Sequence, residues 1–271
     1  MLLVLSYILA LLIGLSIGIM GSGGAILAVP ILYYVAGYTM QEASVYSLFV
    51  VGASSLVGAV RSWMNHLVNW RAVLFFGIPS VFAVYLTRLI LVPILPDPLI
   101  ASSVITVPLD MALLLLFATL MVLAARSMLL SKEGSTQGEL NFQSSNSFLQ
   151  VITFGLLVGT LTAILGAGGG FLIIPALVIF LRMPMKEAVG TSMFIVAMNA
   201  LNGFVGSIYK GDILIDYSFL LLFTAMAFIG LFVGMFWAKH LKPEKLKRYF
   251  AFFVFGMGLF IIVQQLIKHF Q

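Results

Sequence analysis

Apolar residues occur in ten successive runs, which are separated by charges, glycine clusters or prolines. Most runs have the roughly 20 residues that a helix needs to cross a bilayer core of ~30 Å. Two runs, 25–37 and 170–182, allow only roughly 20 Å of helix, and each follows a glycine cluster. The pattern predicts an all-α polytopic membrane protein with segments near residues 2–20, 25–37, 43–63, 71–95, 106–130, 147–165, 170–182, 188–209, 216–238 and 246–268.

The composition of the 271 residues points to the same class. Only 8% of them are charged, against roughly 25% in soluble domains. These charged residues are too few to cover the surface of a water-soluble globule. This excludes a soluble enzyme, a disordered tail and a fibrous repeat. The basic residues stand singly between apolar runs, which favours contact with lipid and not with nucleic acid. The first apolar run lacks the basic n-region of a signal peptide, so we expect it to be retained.

Metal, cofactor and enzyme chemistry find no support in the sequence. The chain has no Cys, which excludes iron–sulfur clusters and zinc–thiolate sites. Its three histidines, His66, His240 and His269, are far apart at segment ends, so we predict no metal site. The chain also lacks a His-Glu-x-x-His sequence, a paired intramembrane Asp, a Ser–His set at membrane depth and a Walker A motif. We therefore predict a protein that is not an enzyme and needs no cofactor.

The polar stretch 131–146 indicates an aqueous linker between two related halves, 1–130 and 147–271. At an offset of 145 residues, 16 of the 42 positions from 21 to 62 are identical, more than shared apolar composition explains. After an insertion of two residues, Val68-Asn69-Trp70 aligns with Ile215-Asp216-Tyr217. Identical positions include Gly21, Gly23, Gly24, Pro30, Glu42, Ser47, Gly58 and Ser62, which align with Gly166, Gly168, Gly169, Pro175, Glu187, Ser192, Gly203 and Ser207.

Each half holds five elements, so the second copy starts on the opposite side of the bilayer, which predicts two inverted repeats. Lys and Arg provide an independent test because they collect in cytoplasmic loops. The inverted arrangement puts eleven of the 14 basic residues on one face, whereas a parallel repeat would divide them eight to six. We expect a multi-pass cell-membrane protein with both termini outside and the linker in the cytoplasm. The odd number of elements does not decide whether each short helix crosses the whole membrane or returns to the side from which it entered.

The two glycine runs, 21–30 and 166–175, interrupt helices at membrane depth, where unpaired backbone is tolerated only against protein or a water-filled cavity. Glycine permits positive φ, and the short helix that follows presents free N–H groups and the positive end of its dipole. Two such ends converging from opposite sides would bind an anion. The alternative is that the glycines only permit close helix packing.

The helix after each short segment carries polar side chains within an apolar run. We predict that Ser47, Thr191 and Ser192 line the pocket, together with Asn199 and Asn202, which share a helical face. The alternative is hydrogen bonding between helices or to the helix's own carbonyls. The full polar set is Ser44, Ser47, Ser54 and Ser55 in the first half and Thr191, Ser192, Asn199 and Asn202 in the second.

Charged residues have smaller roles in this interpretation. Arg88 is assigned to the outer face and no Lys or Arg to the middle of the membrane, so backbone dipoles would hold the substrate. Glu42 and Glu187 begin their helices, which favours capping of the N-terminus. Asp110 opens the fifth segment, where it is a candidate proton-coupling residue or simply a solvated group at the outer interface.

The duplicated G-x-G-G-(x)5-P pattern, the E-A-(x)3-S-x-F run after it and the H-L-V-N-W-R stretch from His66 to Arg71 resemble the sulfite exporter TauE/SafE family of membrane proteins. The resemblance covers essentially the whole chain and implies transport of a small sulfur-containing anion, such as sulfite or a sulfonate. The first loop departs from the triple-glycine form, because Ala25 aligns with Gly170. The resemblance implies a binding site formed by Gly21, Ser22, Gly23, Gly24, Ser47, Gly166, Ala167, Gly168, Gly169, Gly170, Thr191 and Ser192.

These observations together predict a secondary transporter that exports sulfite or an organosulfonate across the cytoplasmic membrane by alternating access. A channel-like anion conduit, or uptake of a sulfur compound, remains the alternative. The expected partners are a small anionic substrate and the lipid bilayer, with no nucleic acid, and a homodimer stays open. The substrate, the direction and the coupling ion are not decided by the sequence.

Overall fold

The computed structural model describes residues 2–94, 100–101, 106–130, 145–165, 170–208, 215–238 and 240–270. The linker predicted at 131–146 therefore lies almost wholly outside the described residues. Apart from a pair of two-residue strands, Ile100–Ala101 and Thr106–Val107, regular structure in these ranges is helical. The helices are α1 (Leu2–Met20), α2 (Ala28–Tyr34), α3 (Met40–Met64), α4 (Trp70–Leu91), α5 (Leu109–Leu130), α6 (Ser145–Leu165), α7 (Gly170–Ile179), α8 (Met185–Ile208), α9 (Tyr217–Ala238) and α10 (Pro243–Phe270).

The described residues contain seven helical stretches that are long and apolar enough to cross a membrane. The short helices fall where the sequence predicts them, since α2 has 7 residues and α7 has 10. An all-α polytopic membrane protein is thereby confirmed. The seven stretches are Leu5–Tyr34, Met40–Met64, Trp70–Leu91, Met111–Leu130, Met185–Ile208, Tyr217–Ala238 and Arg248–Ile267.

Between α1 and α2 the chain reverses and does not continue straight on. Residues Gly21–Leu27 form a 3₁₀ turn, and Gly21 has a positive φ of 69°. The Ser16 hydroxyl donates to the Gly24 carbonyl at 3.0 Å. Residues eight apart in a straight helix would be separated by ~12 Å, so this contact requires the chain to fold back against α1.

Small residues let the helices of the two halves approach closely. A Cβ added at Gly14 of α1 would lie 1.8 Å from the carbonyl oxygen of Ala227 in α9. A Cβ at Gly155 or Gly159 of α6 would lie 2.5 Å from the carbonyl oxygens of Phe76 or Ser80 in α4. Backbones in contact at glycine are typical of helix packing in membranes, where lipid is as apolar as the side chains.

The helix pairs follow the correspondence of the two halves, in which α1 to α5 align with α6 to α10. The main pairs are α1 with α9, α4 with α6, α3 with α8 and α5 with α10. Exchanging the halves turns the first pair into the second and leaves the last two unchanged.

The contacts between α3 and α8 are also equivalent when the two halves are exchanged. Gly58 packs on Met193 and Gly203 packs on Leu48, and these two contacts are equivalent at the offset of 145. The helices cross in antiparallel directions. Buried apolar residues follow this crossing and a second layer between α5 and α10, including Val50, Val51, Ile195, Val196, Phe117 and Phe250.

Candidate functional site

The 3₁₀ turn of the first glycine run, Gly21–Leu27, lies inside the protein among helices of both halves. Its residues from Gly21 to Ile26 are all buried. A Cβ at Gly21 would lie 2.6 Å from Cγ1 of Val189 in α8. A Cβ at Gly23 would lie 2.1 Å from the ring of Phe250 in α10. Both positions therefore need glycine for close approach, and Gly21 needs it for its backbone conformation as well.

The first glycine run meets the start of α7. A Cβ at Gly170, the first residue of this helix, would lie only 1.9 Å from the Ser22 carbonyl oxygen. The backbone of the first break thus packs on the N-terminal end of the second short helix. The other predicted residues of the second run, Gly166, Ala167, Gly168 and Gly169, lie outside the described residues, so their part in the site stays a prediction.

A hydroxyl pair joins the two halves beside this contact. The Ser22 hydroxyl donates to the Ser192 hydroxyl at 2.7 Å, and Ser192 donates to the Val189 carbonyl at 2.9 Å. Both serines are fully buried. Ser47, the equivalent of Ser192, donates within its own helix to the Ser44 carbonyl at 2.9 Å. The position equivalent to Ser22 is Ala167, which has no hydroxyl.

The Thr191 side chain holds the turn that precedes α4. Its hydroxyl accepts the backbone N–H of Asn69 at 2.9 Å, and the Asn69 side chain caps α4 by accepting from the backbone N–H of Ala72. The other half repeats the arrangement with different residues. The Tyr46 hydroxyl accepts the backbone N–H of Asp216 at 2.8 Å, and Asp216 caps α9.

Tyr46 and Thr191 occupy equivalent positions at the offset of 145, as do the two capping residues at the offset of 147. The sequence relation contained this signal, but the hydroxyl acceptors become recognisable as a pair only when both turns are seen across the halves.

Asn199 and Asn202 bind α4. The Asn199 amide donates to the Ser80 hydroxyl at 2.6 Å, and the Asn202 amide donates to the Val81 carbonyl at 3.2 Å. These bonds match the alternative of contact between helices. Buried polar atoms without a described partner nevertheless remain near the α3–α8 crossing, namely the side-chain oxygens of Asn199, Ser54 and Ser55. Such atoms are uncommon in folded proteins and keep these residues as binding candidates.

The carboxylates divide into three cases. Glu42 forms the expected capping box, because its carboxylate accepts from the backbone N–H of Thr39 at 2.9 Å. Glu187 instead accepts from the Asn69 side-chain amide at 2.9 Å, so it joins the halves where the sequence predicts a helix cap. Asp110 lies in the first turn of α5, and its side chain is outside the described residues, so its coupling role stays a prediction.

The sequence interpretation missed Arg88 as an interior residue. It is only 6% exposed, and its Nη2 donates to the Ser44 hydroxyl at 2.5 Å. The only signal in the sequence was that apolar residues stand on both sides of Arg88. A groove of about 410 Å³ lies elsewhere, between α3 and α9, and its lining includes none of the predicted site residues.

Comparison with known proteins gives a consistent result. The family model described as Sulfite exporter TauE/SafE matches residues 6–261. A "Probable membrane transporter protein" of Xylella fastidiosa is 28% identical over 255 residues, covering 93% of this chain and 91% of the relative. A protein of the same description from Methanocaldococcus jannaschii is 28% identical, covering 73% and 70%.

A further "Probable membrane transporter protein", from Bacillus subtilis, is 26% identical over 77% of this chain and 81% of the relative. No solved structure matches. The family match extends over nearly the whole chain, and the fold has the apolar spans of a multi-pass protein. The chain is therefore a membrane transporter that belongs to the sulfite exporter TauE/SafE family.

Proposed function

We propose that this protein is a secondary transporter that exports a small sulfur-containing oxyanion, sulfite or an organosulfonate, by alternating access around the two glycine runs. The observation that carries the proposal is the buried contact between Ser22, in the first run, and Gly170, at the start of α7. Irregular backbone inside a membrane protein is typical of substrate sites in transporters with inverted repeats.

The contact supplies the groups that an oxyanion needs. The first N–H groups of α7 have no partner within the helix, and the helix dipole favours negative charge at this end. The hydroxyls of Ser22 and Ser192 lie beside it; they now donate to Ser192 and to the Val189 carbonyl, and would turn to donate to a bound anion. The end of α7, contributing ~0.5–2 kcal/mol, with several hydrogen bonds would give binding of roughly millimolar strength. Binding in this range still allows release.

The arrangement of helix pairs supports alternating access. The equivalent helices α3 and α8 cross in antiparallel directions, as expected of repeats inserted with opposite topology. The Ser22–Ser192 bond and the buried run Gly21–Ile26 belong to a conformation in which the site is closed. Opening to one side requires one half to move against the other at this seam, and the equivalent movement opens the other side.

Sulfite efflux from proteoliposomes tests the proposal. Gly23→Ala puts a methyl group against the Phe250 ring, whereas Gly256→Ala is the matched control because a Cβ there meets nothing within 4 Å. We expect the first variant to lose most of its flux and the second to keep it, with equal amounts of folded protein by size-exclusion chromatography. Wild-type flux in Gly23→Ala would contradict the proposed site.

Substrate and mechanism need two further measurements. Thermal shifts of the purified protein with sulfite, sulfate, thiosulfate, sulfoacetate and taurine identify the anion class, and the absence of any response would contradict an oxyanion substrate. Stimulation of efflux by substrate on the far side of the membrane distinguishes a carrier from a channel-like conduit, since an open pore shows no such effect.

A further inference from the structure

Arg88 is a cation enclosed by protein within a membrane-spanning helix. It lies in α4, it is only 6% exposed, and its described hydrogen bond is the one from Nη2 to the Ser44 hydroxyl. Among the described residues, its Nε has no hydrogen-bond partner and no carboxylate forms an ion pair with it. An ionisable residue inside a membrane segment is costly, and such residues usually mark ion or substrate pathways.

The aligned positions of the other half carry no charge. The position equivalent to Arg88 at the offset of 147 is Met235, which is 8% exposed, and the position equivalent to Ser44 at the offset of 145 is Val189. Apolar residues thus stand at both aligned positions of the second half. Val189 packs directly on Gly21 of the first glycine run. The Ser44 position is therefore one that, in the second half, lines a glycine break.

The geometry of the guanidinium suits an oxyanion. Its Nε–H and Nη2–H project from one edge as a parallel pair of donors, which matches two oxygens of one anion. Within the described part of the chain, this edge has one neutral partner, the Ser44 hydroxyl, and one donor, Nε–H, without a partner. A small oxyanion would satisfy both donors and neutralise the charge.

We propose that Arg88 and Ser44 form a substrate-binding subsite, in which the guanidinium edge holds the transported oxyanion and the serine hydroxyl donates to the same anion. The subsite rests on the proposed function, because it assigns a ligand to the same anion pathway. It adds a fixed positive charge to a pathway that otherwise relies on backbone dipoles and hydroxyls. Charge of this kind selects anions over neutral sulfur compounds.

The test replaces the pair by the residues of the other half. We expect Arg88→Met with Ser44→Val to keep or raise the thermal midpoint without substrate, because an unpaired buried charge is removed. The same variant should lose the sulfite-dependent thermal shift of the full-length protein and raise the KM for sulfite efflux at least about tenfold. Arg71→Gln, which removes an exposed arginine, is the control and should match wild type.

A second variant covers a failure of this double substitution to fold. Arg88→Lys keeps the charge but loses the paired edge, and we expect a raised KM with an unchanged thermal midpoint. A wild-type KM and sulfite shift in either folded variant would overturn the subsite, while loss of flux in Gly23→Ala would still support the transporter. No response of the wild-type protein to any oxyanion would overturn the proposed function and the subsite together.

Discussion

The turns that precede α4 and α9 are held alike in the two halves, whereas the buried polar pair Arg88 and Ser44 of the first half aligns with apolar residues in the second. At the turns, a hydroxyl from the opposite half accepts the N–H of the capping residue, Thr191 for Asn69 and Tyr46 for Asp216. Away from the turns, Arg88 donates to Ser44 in the first half, and the aligned residues of the second half are Met235 and Val189. The comparison teaches that both halves keep the contacts that hold the turns, while the buried polar pair is present in the first half and not at the aligned positions of the second.

The largest expected effect comes from the position where the two glycine runs differ. Ala25 occupies the place equivalent to Gly170, where a Cβ would lie 1.9 Å from the Ser22 carbonyl oxygen. Gly170→Ala should lower the free energy of unfolding by about 3 kcal/mol, the upper part of the range for overpacking, because backbone cannot move aside. Ala25→Gly should cost about 1 kcal/mol or less. Thermal midpoints in mild detergent check both, and equal effects would break the comparison.

The capping hydroxyls should give intermediate effects of similar size in both halves. Thr191→Val and Tyr46→Phe each remove the acceptor of a backbone N–H, which costs about 1–3 kcal/mol when the group is buried. Thr160→Val is the control, since its hydroxyl bonds within its own helix on an exposed face. Limited proteolysis at the turn before α4 adds a local measurement. A turn as protected in Thr191→Val as in wild type would show that the hydroxyl does not hold it.

A smaller effect is expected at the hydroxyl pair between the halves. Ser192→Ala removes the acceptor for Ser22 and should cost about 0.5–1.5 kcal/mol, and Ser47→Ala, at the equivalent position, measures the same substitution in the first half. Thermal midpoints measure the difference. If sulfite efflux also falls more in Ser192→Ala, the pair contributes to the pathway; a larger loss in Ser47→Ala would reverse the assignment.

The smallest change in stability is expected at Ser54 and Ser55, whose buried hydroxyls have no described partner. Replacing either by Ala removes an unsatisfied group, so the free energy of unfolding should stay within about 1 kcal/mol of wild type or rise. Transport is the informative measurement here. A drop in flux at unchanged stability would show that these hydroxyls contact the substrate, and a marked loss of stability would show a structural partner.

The sequence predicts the elements well because hydrophobic runs and glycine clusters act locally. The short helices and the relation of the halves follow from these signals, although the first short segment, expected at 25–37, begins as a 3₁₀ turn and becomes helical at Ala28. Partners across helices are harder to predict. The pattern places Thr191 in a pocket lining, whereas its acceptor role depends on Asn69, 122 residues away.

Arg88 shows the same limit for burial. An arginine near the end of an apolar run can extend to the headgroups or turn inward, and the sequence does not distinguish the two. The side that Arg88 faces depends on the rotation of α4, which the neighbouring helices set. The glycine runs are easier to recognise from the sequence, because the same interruption of the apolar pattern recurs at the same place in both halves.

The two π-helical turns of α4, Val73–Gly77 and Thr87–Leu91, separate it from its regular equivalent α9. A π turn takes about one residue more than an α turn, so every side chain beyond it is rotated by about 100° relative to an undistorted helix. The sequences of α4 and α9 therefore align, but the side chains of α4 beyond a π turn point in other directions around the helix than their equivalents in α9. Deleting a single residue from the first π turn would restore the α spiral there and rotate Arg88, which lies beyond that turn, toward a different neighbour without lengthening any loop.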